Sequence, residues 1–248
     1  MVHGVTGLLG GGKSYSCVEM MVHHLRRGGI VCTNIELDLE KIQELYKCIV
    51  FPEQYYFIDV DETPNCWEWP RGDPRAEGAR RVMIVIDEAG EWFSYSKKQS
   101  DLFADWLRQT DKQGQDVYLI VQDASILCKQ GRVLCHRWIK VRNMAEWRIP
   151  GLGWPLPPPW RYEFHRFWFD STGKQKLDHV ITMRDKKVFQ CYRTAALFGA
   201  SAKNATAFNA YEKLASLQAP KTQTNDTPLF VVACIFQVLN YAVFYVVK

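Results

Sequence analysis

The sequence has no Cys-x2-Cys pair and no spacing of His and Cys of the kind that holds zinc. Its eight cysteines are spread over 248 residues without forming a dense group. This distribution excludes a zinc ribbon and a small disulfide-stapled scaffold, and it indicates reduced, mostly buried thiols.

Neither sign of charge is in large excess, because the chain has 31 basic and 27 acidic residues and its net charge is +4. A polycationic surface is therefore excluded, and any contact with nucleic acid must be local.

Charge is also absent from residues 229–247, where only Gln237 and Asn240 interrupt an apolar run. About 20 apolar residues cross a bilayer as a helix, and a buried core helix would carry a polar stripe, which this run lacks. We therefore predict a transmembrane helix over residues 229–247, preceded by a polar connector over residues 201–228. No basic region with an apolar core opens the chain, so we expect no secretory signal.

What the sequence does contain is a glycine-rich motif close to its start. Residues 7–14 read Gly-Leu-Leu-Gly-Gly-Gly-Lys-Ser and fit the P-loop pattern Gly-x4-Gly-Lys-Ser. Glycines let the backbone N–H groups approach a polyphosphate closely, next to a helix N-terminus. Lys13 would reach the β- and γ-phosphates, and Ser14 would offer its hydroxyl to Mg²⁺. We predict that ATP and Mg²⁺ bind here, and that the residues holding the nucleotide are Gly7, Gly10, Gly11, Gly12, Lys13 and Ser14.

The surroundings of this motif are typical of a P-loop. Residues 2–6 form a short strand-like run before it, and residues 14–27 place their apolar side chains on one helical face. A second apolar, β-branched run at residues 30–35 completes a β–α–β unit. The alternative reading of residues 7–14 is a glycine-rich turn between a strand and a helix.

A second motif consists of an apolar run followed by two carboxylates. Residues 82–86 are all apolar, as in a central parallel strand, and Asp87 and Glu88 follow directly. The carboxyl end of such a strand is where ligands bind. We predict that Asp87 holds Mg²⁺, as the Walker B acid does, and that Glu88 activates the attacking water as general base.

Two further side chains are candidates for the same reaction. Gln122 follows the strand-like residues 116–121, and a polar side chain at that position can sense the γ-phosphate and orient water; a solvated strand end is the alternative. Arg108 precedes that strand and could act as an arginine finger in a neighbouring subunit, although an exposed helix residue is the simpler interpretation. We therefore predict three catalytic residues: Lys13, Glu88 and Gln122.

Residues 129–148 combine basic and aromatic side chains with a single acid, Glu146. This pattern suits a track for single-stranded nucleic acid, and the solvated faces of a strand and a helix explain it as well. Residues 150–159 form a proline-rich link. Three strand-like runs follow, over residues 160–169, 177–183 and 188–194, and they predict an antiparallel meander over residues 160–195.

Taken together, these patterns predict an α/β P-loop NTPase with a mainly parallel central sheet, an antiparallel β-meander extension and a C-terminal transmembrane helix. The nucleotide domain would occupy residues 1–200.

The chain resembles the zonula occludens toxin (Zot) family in five features of its sequence. These are the P-loop, the Thr33-Asn34 pair on the second strand, the Walker B run, Gly114-x-Asp116 leading to Gln122, and Tyr192-x-Thr194 after a hairpin. The resemblance covers about residues 1–200. That family comprises the assembly ATPases of filamentous phages, which are related to the FtsK–HerA pumps. Two departures stand out. Residues 109–113 lack the Arg-His type of segment that the family tends to carry there, and many relatives continue beyond the membrane segment.

The resemblance implies an ATPase anchored in the bacterial inner membrane by one span, with its N-terminal ATPase domain in the cytoplasm. It also implies a homo-oligomeric ring that works with phage coat and assembly proteins and extrudes phage around single-stranded DNA. Two alternatives stay open. One is a double-stranded DNA pump of the FtsK–HerA kind, and the other is a scaffold or secreted toxin-like effector that acts by binding nucleotide without hydrolysis.

Overall fold

A computed structural model of the chain describes residues 1–58, 66–90 and 97–193; for residues 97–100, 146 and 193 it describes the backbone alone. The strands are Val2–Thr6 (β1), Ile30–Thr33 (β2), Glu36–Leu37 (β3), Tyr55–Phe57 (β4), Val82–Ile86 (β5), Gln115–Ile120 (β6), Arg137–Asn143 (β7), Glu163–Phe169 (β8), Lys176–Met183 (β9) and Tyr192–Arg193 (β10). The longer helices are Lys13–Leu25 (α1), Leu39–Tyr46 (α2), Lys97–Gln109 (α3), Lys129–Leu134 (α4) and Lys186–Gln190 (α5).

The central sheet has the strand order β4-β2-β5-β6-β1-β7-β8-β9. Neighbours from β4 to β7 pair in parallel, whereas β7 with β8 and β8 with β9 pair antiparallel. The predicted α/β fold with a mainly parallel sheet is therefore confirmed. Because parallel strands end at one edge of a sheet, the loops after β1 and β5 lie at the same edge, with only β6 between them.

Two apolar cores, one on each face of the sheet, explain why the central strands are continuously hydrophobic. On one face, α1 and α5 pack with Val5, Val85 and Ile139. On the other face, α3 contributes Trp106 to a cluster with Val2. Since successive strand residues alternate between faces, both sets of positions must be apolar.

The predicted β-meander is only partly correct. Strands β8 and β9 form, and they extend the sheet from β7. The third predicted strand, over residues 188–194, is wrong, because residues 186–190 form α5 and only β10 follows, paired with β3. Asp185 begins this helix by accepting a hydrogen bond from the Lys187 N–H at 2.8 Å, and Val188 is buried against the α1 core. A local cap and burial on one helical face thus outweigh the β-branched and aromatic composition of the run.

The predicted connector and transmembrane helix, residues 201–228 and 229–247, lie outside the described residues. Among the helices that the structure does describe, none has the length and apolar character needed to cross a bilayer. The domain boundary at residue 200 therefore stays a prediction.

Candidate nucleotide site

The loop between β1 and α1 has the backbone geometry that its glycines predict. Gly10 and Gly12 have φ values of 73° and 86°, a left-handed conformation that side chains disfavour. A Cβ on Gly7 would lie 2.6 Å from the Val141 carbonyl oxygen, so the loop packs closely against β7. Gly11 closes a tight turn by donating its N–H to the Leu8 carbonyl at 2.9 Å.

Lys13 lies across this loop. Its Nζ donates hydrogen bonds to the carbonyl oxygens of Gly7 at 3.0 Å and Leu8 at 3.2 Å. These contacts hold the ammonium group over the loop, where a bound phosphate would meet it.

Ser14 and Asp87 connect the two predicted motifs. The Ser14 hydroxyl, in the first turn of α1, donates a hydrogen bond to Asp87 Oδ2 at 2.8 Å. Asp87 follows β5 directly and is 7% exposed. Burial raises the pKa of this carboxyl group above its usual value, against the opposing effects of the Ser14 hydrogen bond, the Glu88 N–H and Lys13. The structure thus brings both predicted Mg²⁺ ligands within one hydrogen bond of each other.

Asn34 supports Asp87 from the neighbouring strand, a role that the sequence interpretation missed. Its Nδ2 donates to the Asp87 carbonyl at 3.0 Å, and its Oδ1 accepts from the Asp87 N–H at 2.8 Å. Both side chains are buried. The sequence signal for this role was a polar residue just after β2. Because β2 pairs with β5, the carboxyl ends of the two strands meet and bring Asn34 next to Asp87.

Glu88 has an unusual backbone conformation. Its φ is 51°, a left-handed value that is uncommon outside glycine and that often marks functional sites. Its N–H donates to Asp87 Oδ1 at 2.9 Å. The turn after β5 thus presents two carboxylates in succession, the first buried and the second half-buried.

The structure separates the two remaining candidates. Gln122 is exposed two residues after β6, the strand between β1 and β5. It therefore lies at the same edge of the sheet as the P-loop and Asp87. Arg108 lies on the surface of α3, paired with Asp105 on the same helix. The structure gives no contact between Arg108 and the P-loop, so a trans-acting role stays a prediction.

A cleft of about 630 Å³ opens beside the P-loop, on its β7 side. Of the basic and aromatic stretch at residues 129–148, only part lines this cleft, whereas Lys129 and Arg132 lie exposed on α4. The stretch predicted as one track for single-stranded nucleic acid is thus divided between the cleft and the surface of α4. The lining residues are Gly7, Leu8 and Gly11 of the loop, Lys140, Val141, Arg142 and Asn143 of β7, and Trp147, Arg148 and Pro150 beyond it.

The similarity to known proteins lies in the N-terminal part of the chain, which contains the P-loop. The family model described as Zonular occludens toxin (Zot) matches residues 1–152. The chain is 31% identical over 159 residues to the Gene 1 protein of Enterobacteria phage I2-2, covering 61% of this chain and 43% of that protein. It is 28% identical over 156 residues to the Gene 1 protein of Enterobacteria phage fd, covering 61% of this chain and 45% of that protein. The chain thus spans less than half the length of these relatives.

Among solved structures, the N-terminal domain of zonular occludens toxin from Neisseria meningitidis is similar with a TM-score of 0.45 and 18% identity. That match covers 77% of this chain and 98% of the other. The DNA-packaging ATPase B204 of Sulfolobus Turreted Icosahedral Virus is similar with a TM-score of 0.44 and 16% identity, covering 74% and 97% of the two chains. Because the family model spans more than half of the residues, this chain belongs to the Zonular occludens toxin (Zot) family.

Proposed function

We propose that this chain is a membrane-anchored ATPase that powers the assembly and extrusion of filamentous phage. The observation that carries the proposal is the contact between Ser14 and Asp87. A hydroxyl at the start of α1 and a carboxylate at the end of β5 are the two protein oxygens that a P-loop enzyme offers to Mg²⁺.

The donor set fits Mg²⁺. Both atoms are hard oxygen ligands, and Mg²⁺ takes few protein ligands and keeps several waters. Asp87 is buried with its pKa raised by desolvation, so a nearby divalent cation would offset the cost of its charge. When bound, Mg²⁺ would neutralise charge on the β- and γ-phosphate oxygens.

The remaining roles follow from position. Lys13 holds its ammonium group over the P-loop and neutralises phosphate charge. Glu88 accepts the proton of the attacking water, and Gln122, at the same edge of the sheet, orients that water at the γ-phosphate. Asn34 is a positioning residue, because it fixes the backbone of Asp87.

The biological setting rests on the relatives. The matched Gene 1 proteins are phage proteins, and the resemblance to the Zot family implies an ATPase of phage assembly. We infer a homo-oligomeric ring at the host inner membrane, with its ATPase domain in the cytoplasm, that works with phage coat and assembly proteins on single-stranded DNA.

The test is ATP hydrolysis by the purified full-length chain, with Lys13→Ala and Glu88→Gln beside the wild type. We expect turnover that requires Mg²⁺ in the wild type and a loss of at least 100-fold in both variants. Turnover by Lys13→Ala at the wild-type rate would overturn the proposal. Stronger stimulation by duplex than by single-stranded DNA would favour a double-stranded DNA pump, and phage assembly sustained by a non-hydrolysing Glu88→Gln chain would favour a scaffold.

A further inference from the structure

We propose that the cleft beside the P-loop binds the nucleoside of the nucleotide whose phosphates the loop holds, with the base stacked on Trp147. This inference rests on the proposed ATPase function, because it concerns the same bound molecule. The cleft measures about 630 Å³, which falls in the range of roughly 300–1,000 Å³ that small-ligand sites occupy.

The direction of the bound nucleotide follows from the strand order. Asp87 ends β5, and the sheet runs β5-β6-β1-β7. The end of the phosphate chain that meets Ser14 and Asp87 therefore points towards β5. The other end, which carries the nucleoside, must leave the loop on its β7 side, where the cleft opens between the P-loop and residues 140–143.

The lining of the cleft has the chemistry that a nucleoside requires. The Trp147 side chain is 43% exposed, so part of its surface is accessible to a base. The Arg142 guanidinium lies 6.0 Å from the centroid of Trp147 and 5.6 Å from that of Phe167, which holds it between two rings. Among the side chains that the structure describes, none places a carboxylate in an ion pair with Arg142 or Arg148. Positive charge therefore stays available for the phosphate and ribose oxygens.

This arrangement also accounts for a pattern that the sequence left ambiguous. Lys140, Arg142, Trp147 and Arg148 belong to the basic and aromatic stretch that suggested single-stranded nucleic acid, yet they meet beside the P-loop. A base stacks on an indole whether it belongs to a nucleotide or to a strand. Proximity to Gly7 and Gly11 favours the mononucleotide, because its phosphates would occupy the adjoining loop.

The test measures equilibrium binding to the full-length chain in detergent, with Mg²⁺ and one of four probes: ATP, UTP, tripolyphosphate or a single-stranded oligonucleotide. The variants are Trp147→Ala, Trp147→Phe and the control Trp154→Ala, which removes a tryptophan of the same region that is 61% exposed and does not line the cleft. We expect Trp147→Ala to weaken ATP about tenfold without changing tripolyphosphate affinity. Trp147→Phe should recover most of the loss. We expect the wild type to bind ATP more tightly than UTP, because the larger purine gains more from stacking, and we expect this difference to disappear in Trp147→Ala.

Three results would overturn the inference. Unchanged ATP affinity in Trp147→Ala would show that the base lies elsewhere. An equal loss of ATP and tripolyphosphate affinity would show that Trp147 only shapes the P-loop. Unchanged ATP affinity with weaker binding of a single-stranded oligonucleotide would assign the cleft to nucleic acid. In all three cases the wild type still binds ATP. If the ATPase proposal itself is wrong, the wild type should bind neither ATP nor tripolyphosphate.

Discussion

Gly12 of the P-loop lies directly against the ring of Phe164 on β8. A Cβ built on Gly12 would overlap this ring, and the backbone φ of 86° is itself unfavourable for a side chain. Phe164 is buried and stacks on Tyr15 of α1 with 4.3 Å between ring centroids. The antiparallel extension of the sheet thus forms one wall of the phosphate loop.

Gly12→Ala should therefore abolish nucleotide binding and destabilise the fold by about 2–4 kcal/mol, since strain and overpacking add. Gly28→Ala is the matched control, because Gly28 has φ 81° but a Cβ there would meet nothing within 4 Å. We expect that control to cost about 1 kcal/mol and to bind ATP normally. Urea unfolding and ATP titration measure both quantities, and equal losses in the two variants would contradict the role of Phe164.

Asn34→Ala should lower the free energy of unfolding by about 2–4 kcal/mol, because it leaves the buried N–H and carbonyl of Asp87 without partners. It should also reduce ATP turnover, since Asp87 loses its positioning. The comparison is Asp123→Ala, which removes an exposed hydrogen bond to the Ser125 N–H and should cost about 1 kcal/mol or less. Full activity in Asn34→Ala would rule out the positioning role.

Two substitutions of Glu88 distinguish its role in hydrolysis from the strain of its backbone conformation. Glu88→Gln should keep ATP binding and lose hydrolysis, because the amide cannot accept a proton. Glu88→Gly should also lose hydrolysis, yet it should be more stable than Glu88→Gln by about 1 kcal/mol, because glycine tolerates the φ of 51°. Thermal unfolding of the two proteins checks this order. A Glu88→Gly chain that is less stable than Glu88→Gln would show that the left-handed turn stores no strain.

We expect His3 on β1 to make the stability of the fold depend on pH. It is 6% exposed and stacks on Tyr118 at 4.8 Å. Burial, reinforced by neighbouring positive charge, lowers the pKa of His3 to about 4. Below pH 6.5 the unfolded chain takes up a proton that the folded chain refuses, so stability should fall as pH drops from 6.5 to 4, by about 3 kcal/mol at most.

The measurement is urea unfolding of wild type and His3→Phe at pH 7 and pH 4.5. His3→Phe should lose less stability between these values, because phenylalanine has no proton to bind and preserves the stacking. Burial and the nearby Lys176 also lower the pKa of His179 on β9. His179→Phe should nevertheless reduce the pH dependence less than His3→Phe does, because His179 lies at a more exposed site. An unchanged dependence in His3→Phe would place the acid sensitivity on other groups.

Some features of the candidate nucleotide site were predictable from short stretches of sequence, and others depend on contacts between distant segments. The P-loop and the carboxylates after β5 were predictable from sequence, because glycine conformation, strand hydrophobicity and residue order act over a few neighbouring positions. The mainly parallel character of the central sheet followed from the same pattern, whereas the order of its strands did not.

Contacts between distant segments required the tertiary structure. Asn34 meets Asp87 only because β2 and β5 pair, and residues 188–190 are helical because the Asp185 cap and the α1 core outweigh a strand-like composition. In the same way, Arg142 lies beside the P-loop because β7 pairs with β1, and Trp147, beyond the end of β7, lines the same cleft. The sequence by itself determined which residues could carry the chemistry, whereas only the packing of distant strands decided which of them meet. The reason is that hydrophobic periodicity indicates the buried face of an element but does not indicate which element packs against that face.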